Sequence, residues 1–183
     1  MRCKTSCHIG RLVSFFFLLI VLTAYGCVKN KNLLPVPEKQ GWVSDYANLL
    51  EAGDRERIAA ALESYERETC HQIYLLIMPS LQSENIVAFS QRTAKAWKIG
   101  EPGFGNGFLV TMAIQEGSVR IEAGSAFEWF IQGGMAEKVL KEIMIPLFRQ
   151  KKFVEGIERG LSEIMKAGWL QPIPKENRPN SCR

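Results

Sequence analysis

Acidic side chains suited to tight cation sites are scarce in this chain. Among 183 residues there are two aspartates, Asp45 and Asp54, and two histidines, His8 and His71. Calcium and magnesium sites gather carboxylate oxygens, and the other 17 acids are glutamates spread mainly along solvent faces of expected helices, where charge serves solvation. His8 lies in a segment that reads as a removable leader, which leaves His71 alone at the start of an apolar strand. One histidine with two cysteines does not build a zinc site of ordinary type. Serine hydrolysis is excluded on similar grounds: Ser125, in AGSAF, lacks the nucleophile-elbow pattern and stands at capping-box spacing from Glu128.

Long hydrophobic runs are lacking too. The longest, Leu12 to Ala24, is shorter than the about 20 apolar residues that a membrane span needs. Arg2, Lys4 and Arg11 precede or open it, and Ala24-Tyr25-Gly26 offers small residues for cleavage, so residues 1–26 are expected to be an export signal. Small residue, glycine, then Cys27 resembles a bacterial lipobox, in which the cysteine is diacylated and becomes the mature N-terminus. Removing the three leader cations leaves 20 basic residues against 19 acidic, a net charge near +1 in place of +4. The basic balance belongs to the leader, and the mature chain has no charge argument for nucleic acid. Of five cysteines, Cys3 and Cys7 leave with the leader and Cys27 carries lipid. Cys70 and Cys182 remain, either paired in an oxidising compartment or, respectively, buried and in a polar tail.

The rest divides by composition. Residues 27–41 are polar and carry Pro35 and Pro37, which reads as a tether. A domain is expected over 42–170 and a disordered tail over 171–183. Ser44 or Asp45 can cap a short helical turn through Leu50. Ala52 to Glu68 places Ile58, Ala61, Leu62 and Tyr65 on one helical face, and QIYLLIM, Gln72 to Met78, reads as a strand covered on both faces. Ser83 can cap the next helix, with Ile86, Phe89, Thr93 and Trp97 in one stripe. A loop with Gly103, Gly105 and Gly107 then opens an apolar strand, Phe108 to Ile114, and Val119 to Glu122 follows across a turn. Glycines before a strand are neither a phosphate-binding loop, which needs lysine after them, nor a dinucleotide fingerprint, which needs a helix after them. Backbone without side chains leaves room for a ligand, so any pocket is expected to border this loop. Met135, Val139 and Ile143 carry an amphipathic segment to Pro146, and Lys151 to Ala167 a last helix with Phe153, Ile157, Leu161 and Ile164 inward. The pattern implies an α/β fold: a three-layer α/β/α sandwich with a small mixed sheet flanked by helices.

With these residues in place, the chain resembles the TPM-domain family from about Trp42 to Ala167. VSDYANLL is similar to that family's V-x-D-x-A-x-x-L opening, and ETCHQIYLLIM to its T-G-x-Q-I and strand. WKIG, GNGFLVTMAI, VRIEAGSAFE and IPLFRQKKFVEGIERG are similar to W-G-I-G, N-N-G-v-L-l, r-i-e-x-G-x-G-L-E and P-x-F-x-x-G-D-Y-x-x-G-i, in the same order. Members include thylakoid-lumen proteins linked to photosystem repair and acid phosphatase activity, and many membrane-tethered or secreted bacterial proteins. The resemblance implies a pocket at Asp45, Asn106, Gly107 and Glu128, with Asp45 the residue for calcium or magnesium if any cation binds. Other acidic positions of the pattern are changed: Gly105 and about Gly133 stand where acids or amides occur, and Lys152 replaces the aspartate of G-D-Y. The expectation is therefore an exported lipoprotein, membrane-bound through Cys27, whose domain binds or assembles without catalysis and needs no cofactor. Phe104, Trp129 and Phe130 would face an envelope protein partner. The alternative is a divalent-cation phosphatase with a reduced site.

Overall fold

Gln72–Met78 forms the central strand β2, and every residue of it after Gln72 is buried. A computed structural model shows this arrangement and describes residues 33–178. The expected signal peptide, Cys27, the first part of the tether, and residues 179–183 with Cys182 lie outside the described residues. β2 pairs in parallel with β1, Val43–Asp45, on one side and with β3, Gly107–Ala113, on the other; β4, Ser118–Ala123, runs antiparallel to β3. The sheet is thus mixed and ordered β1-β2-β3-β4, as the α/β/α expectation requires.

One face of the sheet carries Val43, Ile73, Leu75, Ile77, Phe108, Val110, Met112 and Ile121 into the larger core. Against them pack α1, Ala52–Thr69, and a C-terminal helical layer. That layer comprises α3, Glu128–Gln132; α4, Met135–Lys138; a π-helical segment, Val139–Met144; α5, Ile145–Arg149; and α6, Phe153–Leu170. The opposite face carries Tyr74, Leu76, Met78, Leu109 and Ala113 under α2, Ile86–Ala96. Fully burying one such aliphatic side chain is worth about 1.5–3 kcal/mol before conformational entropy is charged against it.

The structure corrects several local expectations. Val43, Ser44 and Asp45 are a short strand, and no helix starts there: Tyr46 N donates to the Ile77 carbonyl at 2.8 Å, so the chain adds to the sheet edge. Residues 34–41, read as part of the tether, are strapped across the α2 face. The Leu34 N–H donates to Glu84 Oε2 (2.9 Å), Arg92 to the Leu34 carbonyl (2.7 Å), and Trp97 Nε1 to the Pro37 carbonyl (2.8 Å). Leu34 and Val36 add apolar contacts on that face. Asn85 caps α2, accepting from the Val87 and Ala88 N–H groups, while Ser83 sits at φ 69° outside it. Ser125 forms no capping bond: it opens a 3-10 turn, Ser125–Phe127, with Gly124 ahead of it. The helix expected to stop at Pro146 continues, because Pro146 stands in the first turn of α5, where a missing N–H is tolerated. The π segment before it adds a residue to the local repeat, and Met144 becomes the buried position in place of Ile143.

Chain ends close the large core at the amino end of β2. Gly168 of α6 packs so near the Tyr65 hydroxyl that a Cβ there would overlap it. His71 is 1% exposed and its Nε2 donates to the Gln171 carbonyl at 2.9 Å. Arg178, in the expected disordered tail, donates to the Glu68 carbonyl of α1 at 3.1 Å. Cys70, also buried, is disulfide-bonded.

Burial lowers the His71 pKa from the usual 6.5; the Gln171 and Gly168 carbonyls oppose this and Arg178 reinforces it. The fold therefore prefers neutral imidazole. The unfolded chain takes up the proton first as pH falls, so this stabilisation is full above pH 6.5 and declines below it toward the lowered folded value. Melting temperatures measured from pH 7.5 to 5.5 should fall for the native sequence and fall less for His71→Gln.

Candidate functional site

The glycine loop that opens β3 is held together by backbone approaching backbone. A Cβ on Gly107 would sit 2.6 Å from Gly100 N, and one on Gly105, whose φ is +57°, would fall on Ser125 Oγ. A Cβ on Gly124 would fall on the Gly105 carbonyl oxygen. At Gly105, Gly107 and Gly124 the space that the absent side chain leaves is occupied by the chain itself, so no ligand enters the loop there. A groove of about 250 Å³ does run outside it, between α2 and β4, past Gly107, Gly124, Lys95 and Glu122.

Asn106 is the side chain that locks this end. Fully buried, it accepts from the Glu101 N–H through Oδ1 at 2.7 Å and donates through Nδ2 to the Cys70 carbonyl. Its own carbonyl accepts from Gln72 N at 2.9 Å, and Gln72 Oε1 accepts from Gly100 N at 2.8 Å. Both functions of the amide are taken by backbone, so Asn106 ties the loop to the entries of β2 and β3.

Asp45 performs the equivalent task at the other end of the sheet. Its two carboxylate oxygens accept from Ala47 N (3.1 Å) and Leu50 N (2.9 Å), which turns the chain from β1 toward α1. Asp45 is level with Ile77, whereas Gly107, next to Asn106, is level with Gln72. Five residues of strand separate those levels, about 16 Å at the usual rise. Glu128 is exposed on α3, beyond the Asn106 end. The four expected pocket residues therefore divide, with Asn106 and Gly107 at one end and Asp45 at the other. Among the described residues no group of three or more His, Cys, Asp or Glu side chains is placed to hold a metal ion. The expected aromatic surface also changes: Phe130 is 1% exposed and meets Phe108 edge-on, while Phe104 and Trp129 are half-buried.

A larger cavity, about 350 Å³, opens at the carboxyl end of β3, between the β3–β4 hairpin and the α5–α6 corner. Met112, Ile114, Ile145, Phe148 and Phe153 form apolar wall and Arg149 lines it as well. Nothing in the reading of the loop pointed here. The available signal was the cationic run Arg149-Gln150-Lys151-Lys152 set between Phe148 and Phe153.

The fold and these motifs meet in the comparisons. Residues 43–167 match the family model of the TPM domain. The chain belongs to the TPM-domain family. A solution structure of the N-terminal domain of a Porphyromonas gingivalis protein shares this fold with a TM-score of 0.66 at 22% identity, covering 76% of this chain and 87% of that one. The BA42 protein of the psychrophilic bacterium Bizionia argentinensis gives 0.62 at 15% identity, with 74% and 93% covered. The N-terminal domain of the cg2496 protein of Corynebacterium glutamicum gives 0.55 at 17%, with 74% and 86% covered. These likenesses establish the TPM fold. No curated protein matches the chain.

Removing a lock should cost stability. Asn106→Ala leaves the Glu101 N–H and the Cys70 carbonyl without their partner, and an unsatisfied buried group costs about 1–3 kcal/mol. Urea unfolding of Asn106→Ala should show a loss of about 2–4 kcal/mol, and Asp45→Ala a smaller loss of about 1–3 kcal/mol. A pocket residue outside the hydrogen-bond framework would leave the midpoint unchanged.

Proposed function

We propose that this TPM domain is exported, held at a bacterial membrane by lipid on Cys27, and works there as a non-catalytic binding or assembly module facing the periplasm or cell exterior. Its partner in this reading is an envelope protein, and nucleic acid has no part in it. The supporting observation is the use made of Asp45 and Asn106. Both side chains are committed to backbone N–H and carbonyl groups, and the strand register keeps them at opposite ends of the sheet. A phosphatase site on calcium or magnesium would need Asp45, Asn106 and Glu128 around one ion, and the strand register separates the first two. Export agrees with a disulfide at Cys70, since such bonds persist in oxidising compartments. Among the described residues no helix is long and apolar enough to cross a membrane, and the lipid supplies the attachment in this reading.

Two measurements test it. Cells fed an alkyne analogue of palmitate should label the native protein and leave Cys27→Ser unlabelled; equal labelling would remove the lipid from the proposal. A thermal-shift titration of residues Val28 to Arg183 with calcium, magnesium and manganese should show no saturable shift that depends on Asp45. Binding to the native state alone would stabilise by about 2.7 kcal/mol at a hundredfold excess over Kd, so a shift abolished by Asp45→Asn would restore the hydrolase reading.

A further inference from the structure

We propose that the cavity at the carboxyl end of β3 binds an amphiphile with one anionic head, phosphate ester or carboxylate, and a short apolar tail. Three observations carry this. The first is shape and size: about 350 Å³ lies in the range of small-molecule sites, and in α/β sheets ligands settle outside the carboxyl ends of the strands. The second is the chemistry of the wall. Met112, Ile114, Ile145, Phe148 and Phe153 make most of the lining apolar, with the Phe148 and Phe153 rings 5.7 Å apart. Such a surface suits hydrocarbon and gives a sugar or a free inorganic ion little to bond.

The third is a guanidinium without a counter-ion. Arg149 lines the cavity, is exposed, and makes no ion pair or hydrogen bond among the described residues. Most other arginines of the domain are engaged: Arg57 by Asp54 and Glu158, Arg92 by Glu84, Arg120 by Glu122, and Arg159 by Glu155. The turn that joins Arg149 to Phe153 adds Lys151 and Lys152, the latter 4.0 Å from Glu155, which Arg159 also shares. Glu116, on the neighbouring hairpin, is turned away: its carboxylate accepts from Ser80 Oγ and Leu81 N at 2.7 and 2.9 Å. Ser118, at the cavity wall, points its hydroxyl to the Glu116 carbonyl. A planar guanidinium at the mouth and hydrocarbon behind it match a head that accepts two parallel hydrogen bonds and a tail that leaves water.

A bilayer lipid and a free amphiphile share this chemistry. The bilayer source depends on the lipid-anchored reading above; the cavity itself does not. The β3–β4 hairpin beside the cavity and the loop that ties down Leu34 lie at one end of the sheet, joined through Ser80 and Glu116. Six residues separate Leu34 from Cys27 and span at most about 20–25 Å, so a lipid on Cys27 would hold this end near the membrane surface.

The test uses the portion from Val28 to Arg183, which contains the whole compact unit that begins at Leu34, and isothermal titration with octyl phosphate below its micelle concentration. Expected is saturable one-to-one binding at least tenfold tighter than that of inorganic phosphate (head alone) or octyl glucoside (tail alone). Arg149→Gln should weaken it at least tenfold with an unchanged melting temperature, because the side chain is exposed, and Arg149→Lys should restore part of the loss. No saturation at millimolar octyl phosphate, equal affinity in Arg149→Gln, or equal binding of inorganic phosphate would each overturn the proposal. Co-sedimentation with phosphatidylglycerol vesicles but not phosphatidylcholine vesicles, lost in Arg149→Gln, would assign the bilayer as source. Octyl phosphate binding without co-sedimentation would assign a free amphiphile. Either result stands whether or not Cys27 takes the palmitate label.

Discussion

Burial of the β2–β3 ladder on both faces is the constraint from which the rest of this domain follows. The strands expose no polar face, so each side of the sheet needs its own cover. On one side α1 and the C-terminal helices supply it in abundance. On the other there is one helix of 11 residues, α2. A helix is about 10 Å across, while the outer strands of a four-stranded sheet lie about 14 Å apart. One helix leaves a strip uncovered, and residues 34–41 fill it. That segment is extended, proline-bearing and hydrogen-bonded to Glu84, Arg92 and Trp97. It is a third piece of the small core, and the domain begins with it.

This explains which parts of the fold were legible in the sequence. β2, α1, β3, β4 and α6 each carry a run long enough for its period to show, and the structure places them within a few residues of expectation. β1 does not: with three residues, two of them Ser44 and Asp45, it has no pattern to read, and only pairing with β2 makes it a strand. The strap was missed because a fixed proline φ suits a free linker and a packed extended segment equally. Ser83 and Asn85 are both good caps, and the choice between them rests on which oxygen reaches the first free N–H groups of α2. The shift from Ile143 to Met144 has a purely local cause, since a π turn changes the phase of every later position.

The candidate site was half legible. Asp45 and Asn106 are special positions, as their residue types and neighbours indicated, and both are buried and fully bonded. Their separation was hidden by the missing strand. A residue that closes one strand and a residue that precedes a parallel strand stand at opposite ends of a sheet, whatever their distance in sequence. With β1 unrecognised, nothing in the order of motifs set them apart, and motif order alone had gathered them into one pocket.

The two ends of the sheet consequently have different freedom. At the amino end of β3, glycine backbones, Asn106 and the Cys70 carbonyl are packed against one another, and an added side chain has no space to enter. At the carboxyl end, beside a cavity, the turn after α5 is open to substitution. Lys151 there has φ 61°, in the left-handed region, where the similar family pattern has glycine. A side chain in that conformation costs about 1–2 kcal/mol, so the turn holds a lysine against its own backbone preference. Lys152 occupies the place of an acid in the same pattern. Lysine in place of glycine adds a positive charge near the cavity mouth and lysine in place of the acid reverses one, and neither side chain belongs to the core. The corner presents three positive side chains within four residues, and among the described residues the Arg149 guanidinium makes no ion pair or hydrogen bond. The side chains of the turn after α5 can vary without breaking a bond to the core, whereas the loop glycines, Asn106 and, at the carboxyl end itself, Asp45 are fixed by the backbone groups they meet.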